Sequence, residues 1–253
     1  MWRAVQFLGL LHRLFFIKRN FMSISIISVT QNPLQLIGKS AGICWNAPVD
    51  DPQKNILRAI SCIESDHGRV LEYPDITIVI DSKSARACRE IYTHIGGGPT
   101  RLQSSTRYVD ESNFKYYTPP SCQKEGVREV YEKGMKQVAE FYGELIELGV
   151  PREDAANALP LGMDSKVVWK INLRTLINFM NKRLCNRALL EIRQFANELR
   201  SLLMKINVEW EWIGENLFVP SCERYKFLNK TMCFCIEKKG CGRHKYIKDC
   251  TLD

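Results

Sequence analysis

The chain has 253 residues, of which 45% are hydrophobic and 25% charged, and this composition is ordinary for a globular protein. A chain of this length can bury one substantial core and carry a small appendage. Its formal net charge of +8 favours anionic ligands. Because no aromatic RNA-binding motif and no long Lys/Arg run accompanies that charge, we expect small phosphorylated ligands and no nucleic-acid partner.

The ten cysteines predict a cytoplasmic protein with reduced thiols or a bound metal, because no convincing signal peptide accompanies them. Residues 1–21 are basic and apolar without a single acid, and neither of their apolar runs is long enough to span a bilayer. Met22 then begins a strand-like segment, so residues 1–21 are predicted to be an extension ahead of the functional start. The alternative is a helix lying on a membrane surface; we otherwise expect no membrane partner.

From Met22 onwards, hydrophobic periodicity predicts strands and helices in alternation. The predicted strands are Ile24–Val29, 76–80 and a short one at 114–117. The predicted helices are 34–44, 51–63, one from Ala85 to the glycine-proline stop at 96–99, 125–148, one carrying Arg174 and Asn178, and one over 189–202. The side chains of helix 125–148 that we expect to face the core are Val130, Met135, Val138, Phe141 and Leu145.

The glycine stop at 96–99 is followed by a dense run of hydrogen-bond donors from Arg101 to Arg107. Glycines let backbone N–H groups approach a phosphate closely, and arginine offers a two-pronged donor. This pattern favours an anionic ligand that accepts hydrogen bonds. The alternative is an ordinary polar surface loop, because glycine-rich loops are common.

Arg174 and Asn178 lie one helical turn apart, beside an apolar stripe. The stripe consists of Leu173, Leu176, Ile177, Met180 and Leu184. An Asn/Arg face beside such a stripe suits a planar heterocycle with carbonyl and imide edges. The alternative is a pair of surface side chains on a core helix.

These segments, in chain order, resemble the flavin-dependent thymidylate synthases. The family signature of Arg-His-Arg, Ser and Arg-Tyr is matched by His94, Ser105, Arg107 and Tyr108. Thr93 and Ile95 replace both signature arginines, and nine residues rather than seven precede Ser105; Gln103 stands where the family usually has Glu.

The second half of the chain matches the same family more closely. Pro-Arg-Glu at 151–153 and Leu-Pro at 159–160 are followed, without a gap, by Asn172, Arg174, Asn178 and Arg183. Ala156 falls where the family has a phosphate-binding arginine. The resemblance spans about residues 23–205.

The resemblance implies an α+β fold with a central, mostly antiparallel sheet flanked by long helices, in a catalytic domain over residues 22–206. It implies a homotetramer with active sites at subunit interfaces. It also implies reductive methylation of dUMP to dTMP, with FAD as cofactor and with NADPH and methylenetetrahydrofolate as co-substrates. No cysteine needs a catalytic role in this chemistry.

The resemblance also assigns site residues. Arg183 matches the catalytic arginine that contacts the pyrimidine. The residues implied for dUMP binding are Glu90, Gln103, Ser104, Ser105, Thr106, Arg107 and Arg183. The residues implied for FAD binding are His67, Arg69, His94, Gln103, Asn172, Arg174 and Asn178. We expect Arg69, Arg89 and Arg101 to compensate for the cations missing at Thr93, Ile95 and Ala156.

Residues 207–253 form a cysteine-rich basic tail. Four thiolates, Cys222, Cys233, Cys235 and Cys241, would suit a structural zinc ion, with Cys250 or His244 as substitute ligands. Zinc would fold a segment too short to hold itself. The alternative is a set of free thiols on a mobile basic tail.

Two other functions compete with thymidylate synthesis. One is a catalytically silent relative that binds a flavin or nucleotide, which the missing signature arginines favour. The other is a basic RNA-binding protein with a zinc tail, whose RNA affinity would fall steeply with salt.

Overall fold

The computed structural model describes residues 24–228 and 232–250, so the predicted extension at 1–21 lies outside the described residues. Within these ranges the strands are β1 (Ile24–Val29), β2 (Asp75–Ser84), β3 (Thr100–Gln103) and β4 (Asp164–Asn172). The helices are α1 (Pro33–Cys44), α2 (Pro52–Glu64), α3 (Ala85–Tyr92), α4 (Val127–Glu147), α5 (Arg152–Ala155), α6 (Leu173–Arg183), α7 (Leu190–Met204) and α8 (Val208–Asn216). None of these helices is both long enough and apolar enough to cross a membrane.

The four strands form one sheet in the order β1-β2-β4-β3, and every pairing is antiparallel. The predicted α+β class and antiparallel sheet are confirmed. The sequence interpretation missed β3 and β4, although β4 alternates strictly. Its buried residues are Ser165, Val167, Trp169 and Ile171, the spacing of a strand with one face on the core.

The core lies between this sheet and helices α1, α2, α3, α6, α7 and α8. The stripe predicted on α6 is confirmed, because Leu173, Leu176 and Met180 are fully buried. The core continues past residue 206, since Trp210 of α8 and Phe218 are also fully buried in it.

Helix α4 departs from the prediction. Met135 is buried as expected, but Val130 is 72% exposed and Phe141 52% exposed, while Tyr142 is buried instead. The reason is that α4 packs mainly on short segments at 120–123 and 152–158 and only one side of it is covered. The two exposed side chains leave an apolar face on this helix in the single chain.

Two buried carboxylates connect helices that are far apart in sequence. The side chain of Asn32, the residue before α1, does not cap this helix. Instead, the Glu209 carboxylate of α8 accepts hydrogen bonds from the backbone N–H groups of Leu34 at 2.7 Å and Gln35 at 3.2 Å. At the start of α3, Glu191 of α7 accepts from the backbone N–H of Ser84 at 2.7 Å and from its hydroxyl at 2.5 Å. Negative charge at a helix N-terminus complements the unpaired N–H groups there.

Candidate functional site

The guanidinium of Arg183, at the end of α6, is held by the residues that end α3. Nη1 lies 2.6 Å from the Glu90 carboxylate, and Nη2 donates to the Glu90 carbonyl at 3.2 Å and to the Thr93 hydroxyl at 2.9 Å. Nε donates to Nε2 of His94 at 3.1 Å. The Arg183 side chain keeps only 17% of its surface exposed. These contacts fix both the position and the plane of the cation.

His94 supports Arg183 from the core side. It is 5% exposed, and burial, together with the charges of Arg183 and Lys182, lowers the pKa of its imidazole to about 4. The ring is therefore neutral at neutral pH, with Nε2 as the acceptor for Arg183 and the remaining proton on Nδ1. Its edge-to-face contact with Phe179, at 5.1 Å between centroids, fixes its orientation.

The loop between α3 and β3 is fastened to the start of α6. Asn172 caps α6 by accepting from the backbone N–H of Thr175 at 3.0 Å, and its amide donates to the Gly97 carbonyl at 2.9 Å. The Thr175 hydroxyl donates to the Gly96 carbonyl. Gly97 has φ +75°, and a Cβ there would lie 2.5 Å from the Thr175 hydroxyl oxygen. Asn172, predicted as a flavin contact, thus has a structural role in this loop.

Exposed donors line the outer face of α6. Arg174 forms an ion pair with Glu72 at 2.6 Å, and its guanidinium packs beside Gly68. Asn178 follows one turn later and is exposed. His67 and Arg69, in the segment that carries Glu72, are exposed as well. The predicted flavin residues His67, Arg69, Arg174 and Asn178 therefore belong to one accessible polar face.

The predicted dUMP loop begins at Gln103, which bridges two hydroxyl groups. Its Oε1 accepts from Tyr92 at 2.5 Å, and its amide donates to Ser165 at 2.9 Å. A glutamate would accept from both hydroxyls, whereas this glutamine accepts from one and donates to the other. Tyr92 and Ser165 were not among the predicted site residues.

The rest of that loop stands apart from Arg183. Arg107 pairs with Glu153 at 2.8 Å, and the Ser105 hydroxyl accepts from the Arg107 backbone N–H at 3.3 Å. Ser104 donates its N–H to the Lys166 carbonyl at 2.8 Å, and the neighbouring Thr106 is half-buried in a turn. Within the described residues, no hydrogen bond or ion pair joins residues 104–107 to Arg183 or Arg174.

The arginines expected to compensate for missing cations have separate surroundings. The Arg101 guanidinium lies 4.3 Å from the centre of the Tyr92 ring, a cation–π arrangement. Arg69 and Arg89 are exposed. Thr93, where the family has an arginine, instead accepts a hydrogen bond from Arg183.

The C-terminal segment (residues 221–228 and 232–250) changes the predicted metal site. Cys222, Glu223 and His244 place their ligand atoms within 4.8 Å of one another. In the described part of the chain, Cys233, Cys235 and Cys241 do not form such a group with Cys222. The sequence interpretation named His244 as a substitute and missed Glu223, because a glutamate next to a cysteine carries no spacing signal of its own.

Comparison with known proteins bears on this arrangement. Residues 25–207 match the family described as "Thymidylate synthase complementing protein". The chain belongs to the flavin-dependent thymidylate synthase family.

Individual flavin-dependent thymidylate synthases are similar to the chain at modest identity. The protein of Pyrococcus furiosus is 29% identical over 226 residues, covering 81% of this chain and 88% of the relative. That of Geobacter sulfurreducens is 30% identical over 192 residues, covering 72% of this chain and 82% of the relative. For the Sulfurisphaera tokodaii protein, 32% identical over 151 residues, the match covers only 58% of the relative's length and 59% of this chain.

Membership in the flavin-dependent thymidylate synthase family implies a flavin, FAD, and thymidylate synthesis as the chemistry of the family. The accessible face of α6 fits a phosphate-bearing flavin in part. The exposed donors there are Arg174, Asn178, His67 and Arg69. Within the described part of the chain, no atom lies within 4 Å of a Cβ placed at Gly96 or Gly98. Of the other two predicted contacts, Asn172 has its amide engaged with the loop and with α6, and His94 has Nε2 engaged with Arg183.

Proposed function

We propose that this chain catalyses the reductive methylation of dUMP to dTMP, with methylenetetrahydrofolate as carbon donor, NADPH as reductant and FAD as cofactor. The observation that carries the proposal is the fixed guanidinium of Arg183. Its contacts with Glu90, Thr93 and His94 leave one N–H of Nη1 without a partner among the described residues. That N–H is available to a pyrimidine oxygen.

Arg183 would act on the pyrimidine by electrostatics. A fixed cation near N3 and O2 stabilises the ionised, more nucleophilic form of uracil, and a donor that is already oriented needs no reorganisation during the reaction. Because the pKa of His94 is lowered to about 4, the imidazole accepts from Arg183 without adding a competing positive charge. Glu90 offsets part of the guanidinium charge and keeps Arg183 in place.

The flavin would be held by the accessible face of α6. Arg174 and Arg69 are suited to its phosphates and Asn178 and His67 to its polar ring edge, given their exposure and donor chemistry. Bound FAD supplies hydride transfer in this chemistry. The residues of this chain supply orientation, through the glycine loop that Asn172 fastens to α6.

The complete site is proposed to form between copies of the chain in a homotetramer. Two observations support this proposal: loop 104–107 makes no polar contact with Arg183 in the described chain, and α4 exposes Val130 and Phe141. A second copy would cover the apolar face and bring a loop to Arg183. Light scattering should report four chains per particle, and a Phe141→Glu variant should dissociate it; a monomer that forms dTMP would refute the shared site.

The synthase is tested by an anaerobic assay on the full chain with FAD, NADPH, methylenetetrahydrofolate and dUMP, with dTMP detected by mass. Arg183→Lys keeps the charge and loses the two-pronged geometry, so kcat/KM should fall by about 100-fold or more. Arg128→Lys is the matched control, because Arg128 pairs with Glu132 on the surface of α4. Unchanged dTMP formation by Arg183→Lys would refute the role of Arg183.

A catalytically silent relative is the second candidate. The replacement of expected cations by Thr93, Ile95 and Ala156 favours it. A protein that purifies with a flavin spectrum but forms no dTMP under the conditions above would establish this alternative. Formation of dTMP by the unmodified chain would exclude it.

A further inference from the structure

A cavity of about 230 Å³ lies between the end of α6 and the C-terminal segment. Its wall includes Arg183, four cysteines (Cys185, Cys222, Cys235 and Cys241) and His244. Cysteine and histidine side chains are thus concentrated around one space, next to the arginine assigned to the pyrimidine. No step of the proposed reaction uses any of these thiols.

Two side chains of this wall, Cys222 and His244, are arranged as metal ligands together with Glu223. The sulfur of Cys222, an oxygen of Glu223 and a ring nitrogen of His244 all lie within 4.8 Å of one another. His244 Nε2 is 3.1 Å from Glu223 Oε1, and Arg243 Nε is 3.3 Å from the same oxygen. All three ligand side chains are half-buried, so the group is shielded without being closed to an entering ion.

The backbone of the C-terminal segment brings this group together. Cys235 donates its N–H to the Lys245 carbonyl at 2.7 Å and accepts at its own carbonyl from Ile247 at 2.8 Å. Phe234 donates to the Cys222 carbonyl at 3.1 Å. These contacts join three stretches that are distant in sequence, so the ligand geometry follows from the fold of the segment.

The segment has little apolar burial to hold that fold: Phe227 packs against the main core but is only partly buried. From Ser221 onwards, none of the described residues is fully buried. Segments of this kind are commonly held by a structural metal, whose binding free energy replaces that of an apolar core. A thiolate, an imidazole and a carboxylate together suit zinc better than calcium or magnesium, which prefer oxygen ligands alone.

We propose that Cys222, Glu223 and His244 bind a zinc ion, with Cys185 as the fourth ligand. A tetrahedral site needs one more donor. Cys185 lines the same cavity but lies outside the group of Cys222, Glu223 and His244, so its side chain would move toward the bound ion. Cys185 comes two residues after Arg183, so the ion would tie the C-terminal segment to the end of α6.

The Arg187–Glu237 ion pair already joins the same two parts of the chain. A zinc ion would add a second connection between them and so stabilise the cavity wall, which includes Arg183. The site is structural, and its existence does not depend on the proposed synthase activity.

The test is metal analysis of the untagged full chain after loading with zinc and removal of excess ion. About one zinc ion per chain is expected. Cys222→Ser and His244→Gln should lose it, while Cys44→Ser, which changes an exposed cysteine outside the cavity, should keep it. Glu223→Gln keeps the size and polarity of the side chain, and its zinc affinity should fall by about tenfold or more.

A second readout separates ligand loss from misfolding. With cobalt in place of zinc, the unmodified chain and Cys44→Ser should show the thiolate-to-cobalt charge-transfer absorption. Cys222→Ser should lack it. Circular dichroism checks that each variant is folded. Zinc retained by Cys222→Ser, or an unmodified chain that takes up none, overturns the proposal. The proposal is also overturned if Cys233→Ser loses zinc while His244→Gln keeps it. That result would favour the four cysteines predicted from the sequence as the ligands.

Discussion

Replacing Gly97 by alanine should break the connection between the glycine loop and α6. A Cβ at this position would lie 2.5 Å from the Thr175 hydroxyl oxygen and 2.7 Å from the Asn172 amide nitrogen. Both atoms would have to move, and both hold the loop by hydrogen bonds to the carbonyls of Gly96 and Gly97. Gly98 is the matched control: it also has positive φ, at +65°, but no described residue lies within 4 Å of its Cβ position.

The expected magnitudes follow from this geometry. Alanine in the left-handed region costs about 1–2 kcal/mol, and this cost applies to both variants. Gly97→Ala also displaces two hydrogen bonds, each contributing about 1 kcal/mol to stability. Gly97→Ala should therefore be less stable than Gly98→Ala by about 2 kcal/mol.

Urea unfolding of both variants measures this difference, at one fixed protein concentration because association would shift the apparent stability. Both variants should also be titrated with FAD. Gly97→Ala should bind FAD more weakly than the unmodified chain, because the loop and the start of α6 move together. Gly98→Ala should bind FAD nearly as tightly as the unmodified chain. If the two variants lose equal stability, the contact of Gly97 with Asn172 and Thr175 is not what holds the loop.

Two further predictions concern His94 and the approach of α1 to α2. Folding lowers the pKa of His94 from 6.5 to about 4. Between these pH values the unfolded chain binds a proton that the folded chain does not. The free energy of unfolding should therefore decrease by about 3 kcal/mol between pH 6.5 and pH 4. His94→Gln should reduce this slope in urea unfolding across that range; an unchanged slope would assign it to other groups. Gly38→Ala places a Cβ 1.8 Å from the Asn55 carbonyl oxygen and should destabilise the folded chain by about 3 kcal/mol or more. The control is Gly134→Ala, which has no described residue within 4 Å of its Cβ position and should stabilise α4 by about 0.5–1 kcal/mol. Equal shifts of the melting temperature in the two variants would contradict the close contact between α1 and α2.

The helices were largely predictable because their signals are local. Apolar spacing and the proline near the start of α2 are visible without knowledge of the fold. Strand β4 was missed although Val167, Trp169 and Ile171 alternate, because it runs directly into α6 at Asn172 and the two periods overlap there. On α4, apolar spacing identified the stripe but not whether anything covers it.

The surroundings of Arg183 were beyond local reasoning. The sequence resemblance singled out this arginine, but its partners Glu90 and His94 lie about 90 residues earlier, on another helix and its end. How α3 and α6 meet depends on the packing of both against β4 and α7. For the same reason Thr93 looked like the loss of a cation in the sequence, whereas in the structure it is an acceptor for Arg183.

The cap provided by Glu209 bears on the order in which the chain can fold during synthesis. The first turn of α1 depends on a carboxylate 175 residues further along the chain. Helix α3 differs, because the hydroxyl of Ser84 caps it locally by accepting from the Ala87 N–H at 3.1 Å. Helix α1 must therefore leave the ribosome with an incomplete N-terminus. Glu209 lies two residues beyond the family match at 25–207, so a premature stop codon after residue 207 would preserve that match and still leave α1 uncapped. In such a truncated product, cellular proteases should cut near the uncapped start of α1, far in sequence from the new C-terminus.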